Sequence, residues 1–263
     1  MSKTLSAQPL RSNHAWPSSS IGLVGFVATA ALWWLATHLL TAQGSLGRLF
    51  SPDAALMSLP SLVSDDHLLT HAFVSLRRIG ISLSLALAVG VPLGLLVGRV
   101  KWLDTALSPT FQFLRMVSPL SWMPTAIMSL GIGERSICFL LGFAALWPVL
   151  MSTSAGVAQI DRRWLQLGAS LAATRREMLW HIVLPAIAAP LLTGVRLAIG
   201  ILWIVLVPAE MLGVNAGLGY LILDTRDRLA YSELTGVILV IGALGFLLDT
   251  LARMAHAHWA RPR

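Results

Sequence analysis

The sequence predicts an all-α, polytopic membrane protein, and three observations carry that expectation. Of its 263 residues 56% are hydrophobic and only 12% are charged, with a mean hydropathy of +0.75. The apolar residues gather into runs that reach the roughly 20 helical residues needed to cross a hydrocarbon layer about 30 Å thick. Those runs are apolar on every side, whereas a closed strand barrel shows segments of about ten residues with alternating polarity.

Six transmembrane helices follow, at about 21–40, 79–100, 108–130, 136–157, 185–212 and 234–251, flanked by tails at 1–20 and 252–263. The N-terminal tail carries Lys3 and Arg11 and no acid. A cleaved signal peptide has an apolar stretch of about 7–15 residues and a small-residue cleavage site. The run 21–40 is longer and passes through Trp33 and Trp34, so it reads as an uncleaved first span. In the second span, Gly90, Gly94 and Gly98 recur every four residues, a spacing that lets helix backbones approach closely within one subunit or between two. The third span contains Arg115, Pro119 and Pro124. Backbone broken by proline at membrane depth needs protein or a water-filled cavity around it, so this span is expected to face the interior. Cys138 lies in an apolar run with no partner in the chain, which points to neither a disulfide nor a metal site.

Lysine and arginine in the flanking segments set the orientation. With the N-terminus inside, the inner side holds Lys3, Arg11, Arg99, Lys101, Arg162, Arg163, Arg175, Arg176, Arg253, Arg261 and Arg263, which is 11. The outer side holds Arg48, Arg77, Arg78, Arg135, Arg226 and Arg228, which is 6. Arg115 and Arg196, within spans, complete the total of 19. Both termini are therefore expected in the cytoplasm of a cell whose inner membrane holds the chain, and the net charge of +7 reflects topology rather than nucleic-acid binding. Two outer segments remain. Residues 41–78 carry Asp53, Asp65, Asp66 and His67, and residues 213–233 open with GVNAGLGYLI. Either can contact an external partner or serve as a solvated connector.

A polar segment at about 158–184 separates spans four and five. It reads as a short helix from Asp161 to Leu171, a turn at 171–173, and a second helix from Thr174. Asp161 is a suitable N-cap, and Thr174 with Glu177 three residues on is a capping-box pattern. In the second helix Met178 and Ile182, and Leu179 and Val183, stand four apart and form an apolar stripe. Such a stripe, with Trp180 and an adaptable methionine, suits docking into a partner's groove, or an amphipathic helix on the headgroups aided by Arg175 and Arg176.

The segment resembles the cytoplasmic EAA loop of ATP-binding-cassette importer permeases, which reads Glu-Ala-Ala, three residues, Gly, nine residues, then Ile-x-Leu-Pro. Gln166, Leu167 and Gly168, then Ala172, then Ile182, Leu184 and Pro185 match it in spacing. The types depart at Gln166, Leu167, Gly168 and Ala172, where the family has glutamate, two alanines and glycine. A left-handed turn at Ala172 would cost roughly 1 kcal/mol relative to glycine. The likeness extends over about 76–253 through LRRIGISLSLALAVGVPLGLLVG, LRMVSPLSWMPTAI, GIGERS, TGVRLAIGILWIVLVPAEML and GLGYLI, which are similar to the nitrate, sulfonate and taurine branch.

The resemblance implies a type I importer with two permease copies, a cytoplasmic ATPase dimer and a periplasmic or lipid-anchored solute-binding protein. It implies that Gln166, Gly168, Ala172, Thr174, Glu177, Met178, Leu179, Ile182, Leu184 and Pro185 form a coupling loop seated on the ATPase. The chain lacks a GxxxxGK[ST] phosphate loop, so ATP and magnesium belong to the partner ATPase, and no cofactor or metal is expected here.

Charge inside a membrane is expensive, so Arg115, Arg196, Glu210 and Asp249 each need an account. Arg115 and Arg196 lie roughly 7 to 11 residues into spans that start on the cytoplasmic side, about 10 to 17 Å deep. A guanidinium fork matches carboxylate, sulfonate or nitrate oxygens. These two arginines, with Trp122 and Glu210, are the candidates for a substrate path. Arg196 is equally served by pairing with Glu210 or Asp249, and Glu210 by a polar packing contact. A sulfonate such as taurine leads as the expected solute, then nitrate or bicarbonate. A different class, an ATP-independent channel or secondary carrier, often shows two related halves, and no convincing repeat is present. A membrane-embedded enzyme would want paired acids or histidines within a span. His38 stands alone, and His256 and His258 read as part of a cytoplasmic surface.

Overall fold

A computed structural model of the protein describes residues 18–39, 46–64 and 67–259. Lys3, Arg11, Asp65, Asp66, Arg261 and Arg263 lie outside the described residues, as does most of the N-terminal tail. Every regular element among the described residues is helical. They are α1 (Ser18–Leu39), a 3₁₀ turn (Leu46–Phe50), α2 (Pro52–Met57), α3 (Leu59–Ser64), α4 (Leu68–Arg99) and α5 (Lys101–Met116). A second 3₁₀ turn (Pro119–Trp122), α6 (Met123–Leu130), α7 (Glu134–Ala158), α8 (Arg162–Ser170) and α9 (Arg175–Met178) follow. A π-helical turn (Leu179–Val183) leads into α10 (Leu184–Gly213), and α11 (Leu218–Asp227) and α12 (Tyr231–Trp259) complete the order.

Four stretches among the described residues are long and apolar enough to cross a membrane: Leu68–Arg99, Glu134–Ala158, Arg175–Gly213 and Tyr231–Ala257. They contain the second, fourth, fifth and sixth expected spans. The first expected span lies in α1, whose described apolar part, Val24–Leu39, is shorter than the others. The third, 108–130, is not one helix. Helix α5 ends at Met116, and Val117 (φ −73°, ψ 124°) and Ser118 (φ −57°, ψ 128°) are extended before the chain turns through 119–122 into α6. Pro119 is the cause, because its ring disfavours helical backbone at the residue before it. Pro124 sits in the first turn of α6, where its missing N–H has no helical acceptor to lose.

Helix α7 is the centre of the bundle, with 61% of its most apolar window buried against 28% for α4 and 17% for α12. The expected glycine face of α4 packs on it within the protomer. A Cβ on Gly94 would stand 2.6 Å from Thr153 Cβ and 2.7 Å from the Leu150 carbonyl, and one on Gly98 2.6 Å from the Ser154 carbonyl. On the opposite side, a Cβ on Gly194 of α10 would stand 2.6 Å from Ser152 Cβ. Small residues thus bring α4 and α10 against both flanks of α7, where dispersion and close backbone contact replace the hydrophobic drive that lipid does not supply. Ile79, Ala86, Ile137, Leu141, Ala145, Val149, Ala198, Leu202 and Leu206 fill the core between them.

A paired substitution checks this packing. Gly94→Ala should destabilise the detergent-solubilised protein by about 1–3 kcal/mol through overpacking. Gly80→Ala, on the same helix with nothing within 4 Å of its Cβ position, should leave thermal unfolding unchanged or slightly raised.

Candidate functional site: a helical loop and a buried ion cluster

The loop between α7 and α10 takes its shape from its own side chains. Asp161 caps α8 by accepting the Arg163 N–H at 2.9 Å. Thr174 and Glu177 form the reciprocal capping box: the Glu177 N–H reaches Thr174 Oγ1 at 3.3 Å, and the Thr174 N–H reaches Glu177 Oε2 at 2.8 Å. Between the two helices Ala172 has φ +54°, in the left-handed region. The Ala173 N–H bonds the Gly168 carbonyl at 3.0 Å and the Ala172 N–H bonds the Ala169 carbonyl at 3.1 Å. That pair of bonds is a Schellman closure, which ordinarily places glycine where Ala172 stands.

Gly168 makes the helix pair possible. A Cβ there would lie 2.7 Å from Met178 Cε and 2.8 Å from Ile182 Cδ1. Met178 and Ile182 therefore face the first helix and join the two, and Val183 beside them is buried. The exposed large apolar side chains are Trp164, Leu165 and Leu167 of the first helix and Leu171 at its C-cap, with Trp180 of the second. Trp164, Leu167, Gly168, Leu171, Ala173, Glu177, His181 and Ile182 line a groove of about 530 Å³. Gln166 is exposed beside it. Past Glu177 the helix widens to a π turn, in which the Leu184 N–H bonds the Leu179 carbonyl. Pro185 follows directly; it has no N–H and its ring crowds the carbonyl four residues back, which accounts for the wider turn. Helicity is not lost, so Arg175 to Gly213 is one continuous rod.

At the other end of that rod lies a cluster of buried charge. Glu210, wholly buried, accepts from Arg78 Nη1 at 2.6 Å, from Ser75 Oγ at 2.8 Å and from the Gly219 N–H at 2.9 Å. Arg78, 1% exposed, also donates to Glu134 at 2.6 Å and to the Ala216 carbonyl at 2.7 Å. Ser75 Oγ accepts the Leu218 N–H at 2.9 Å, and His71 Nδ1 accepts the Gly217 N–H at 3.0 Å. Glu134 is half exposed and is shared with Arg77 at 3.3 Å. Two arginines thus balance two carboxylates, and α4, α7, α10 and the start of α11 are tied at one point. Gly217 has φ +119°, and a Cβ on it would stand 2.5 Å from the Glu210 carboxylate. Glycine is required there for both reasons. The Glu210 carboxylate also meets the amide end of α11, where negative charge is favoured. Removing one member of such a buried pair leaves an uncompensated charge, at about 3–5 kcal/mol.

The four path candidates fall at separate places. Glu210 belongs to the cluster just described. Arg196 pairs with Asp249 at 3.3 Å, and Asp249 also meets Arg253 at 3.3 Å. Arg115, exposed in the last turn of α5, donates to Met151 Sδ at 3.4 Å and has no carboxylate within ion-pair distance among the described residues. Trp122 stands in the 3₁₀ turn after the break, its ring 5.8 Å from that of Phe143, and its buried indole N–H has no acceptor among the described residues. Sequence reasoning missed Arg78, Ser75, His71 and Glu134. Arg77 and Arg78 looked like a loop flank, yet α4 begins at Leu68 and carries both inside the helix. The signal available was a second charged group, Glu210, that also needed a partner near the outer side.

The left-handed turn gives a direct check. Ala172→Gly should relieve roughly 1 kcal/mol and slow amide exchange over residues 168–174, whereas Ala172→Val should speed it. Faster exchange in the glycine variant would contradict the geometry.

Residues 90–261 match the family described as binding-protein-dependent transport system inner membrane component. The nitrate import permease protein NrtB of Synechocystis is 34% identical over 186 residues, 71% of this chain and 68% of that one. The bicarbonate transport system permease protein CmpB of Synechocystis is 36% identical over 187 residues, 70% of this chain and 66% of its own. The taurine transport system permease protein TauC of Escherichia coli is 32% identical over 244 residues, covering 89% and 87%. In fold the chain is similar to an inward-facing structure of the MetNI methionine ABC transporter, with a TM-score of 0.61 at 15% identity over 74% of this chain and 96% of that one. The chain therefore belongs to the binding-protein-dependent transport system inner membrane components, as the permease subunit of an ABC importer.

Proposed function

We propose that the chain forms the membrane path for a small oxyanion, foremost a sulfonate such as taurine or an alkanesulfonate, with nitrate and bicarbonate as alternatives. The observation that carries this reading is Arg115. It is the one candidate cation in the spans that has no carboxylate neighbour among the described residues, while Arg196 is occupied by Asp249. An arginine left with only a thioether keeps its planar fork of donors for a passing carboxylate, sulfonate or nitrate. It stands beside a break in the helix, and α5 contributes no buried residue to the protomer. Its surface is thus open for water, for solute, and for a second copy of the chain. The named solutes of the relatives, nitrate, bicarbonate and taurine, all present oxyanion groups.

In this reading a cytoplasmic ATPase dimer seats the helical loop, with both termini of the permease on the same side. The exposed Trp164, Leu167, Leu171 and Trp180 around the groove supply an apolar face for it. Gly168, Met178 and Ile182 hold the helix pair rigid, and Thr174, Glu177 and Ala172 set the angle of the turn. Leu179, Leu184 and Pro185 carry the displacement into α10 without a break. Closure of the ATPases on ATP then moves a rod that reaches the outer side.

Reconstituted vesicles holding the permease, its ATPase and its binding protein test the path. Arg115→Gln should raise the KM for taurine or nitrate uptake at least tenfold, about 1.4 kcal/mol, with assembly of the complex unchanged. Unchanged uptake kinetics would remove Arg115 from the path.

A further inference from the structure

We propose that Arg78 is a positioning residue: with Glu210 and Glu134 it forms an outer latch that seats the segment 214–220, and Glu134 is the accessible point at which that latch is released. The proposal rests on the importer reading for its consequence in transport, but its geometry stands alone.

Three observations lead to it. The segment 214–220 is held by its backbone rather than by an apolar side-chain face alone. The Ala216 carbonyl bonds Arg78, the Gly217 N–H bonds His71, the Leu218 N–H bonds Ser75, and the Gly219 N–H bonds Glu210. Three of the four partners, Arg78, Ser75 and Glu210, are bonded to one another across α4 and α10, and His71 stands one turn before Ser75 on α4, so the segment is seated or released as a unit. The cluster also has one exit. Ser75, Arg78 and Glu210 are buried, whereas Glu134 is 44% exposed and accepts from both Arg78 and exposed Arg77. Finally, Arg78, Glu134, Val214, Ala216 and Tyr220 line one cavity of about 600 Å³ with Asp224. The latch is a wall of that cavity.

The position of Glu210 gives the latch a mechanical meaning. It lies on the same unbroken rod as the cytoplasmic loop, 35 residues from Arg175 and therefore roughly 50 Å away. Displacing the rod at its inner end shifts the Glu210 carboxylate relative to Arg78 and to the amides of the segment. Loss of the Glu134 bond leaves Arg78 with a single carboxylate and loosens the segment from outside. The same cluster is thus reachable from both faces of the membrane.

Hydrogen exchange on the reconstituted complex reads the latch directly. In Glu134→Gln, amides of 214–220 should exchange at least tenfold faster, while those of 137–150 in the core of α7 stay as in the parent. The ATPase rate without binding protein should rise several-fold, an effect that a purely structural tie would not produce. Arg78→Gln should act more strongly. If it accelerates exchange in 137–150 as well, that variant has unfolded and Glu134→Gln alone decides. Parent-like exchange over 214–220 in Glu134→Gln would overturn the latch, and faster exchange with an unchanged ATPase rate would overturn its role in gating. Neither outcome bears on whether the parent complex imports an anion, which uptake measures separately.

Discussion

The close approach of α4 and α10 to α7 is the constraint on which the rest depends. In hydrocarbon there is no gain from burying one apolar side chain against another rather than against lipid, so the bundle relies on backbone proximity and on satisfied polar groups. Gly94, Gly98 and Gly194 provide the first; each faces an atom of α7 that would not admit a Cβ. The Arg78–Glu210 pair provides the second. It can exist at 2.6 Å and in full burial only because the helices bearing it are already held at that distance. Remove the small residues and the ion cluster has no frame.

That arrangement leaves one rod joining two sites of different character. At the Arg175 end of Arg175–Gly213 lie a left-handed turn at Ala172, a π turn and an exposed apolar face. At the Gly213 end lies a dense set of charge-assisted hydrogen bonds. Arg115 sits apart from the rod, in the last turn of α5, where its guanidinium meets Met151 Sδ and no carboxylate among the described residues. In the function proposed above, the drive surface, the rigid transmission, the outer closure and the place for solute fall on different residues.

Much of this was legible in the sequence, for physical reasons. Apolar runs and glycine spacing report on helices and their packing faces, and α4, α7, α10 and α12 appear where those signals are strong. The caps at Asp161 and Thr174 are local chemistry and appear as written. What escaped was non-local. Arg78 reads as a loop charge until Glu210, 132 residues away, is placed beside it. The inward turn of Met178 and Ile182 depends on Gly168 ten or more residues earlier, so periodicity alone located an apolar stripe without saying what it faces. The third span failed as one helix because Pro119 holds Ser118 extended, whereas Pro124 is accommodated in the first turn of α6 with Met123 before it still helical, a difference that the surroundings decide.

The proposed function holds that this chain moves an anion only when driven through the loop between α7 and α10. Uptake of labelled taurine or nitrate into vesicles holding the permease with its ATPase and binding protein tests it most directly. The expected result is accumulation against a gradient that requires ATP and disappears when the ATPase is omitted. Equilibrative uptake by the permease alone, indifferent to ATP, would contradict it.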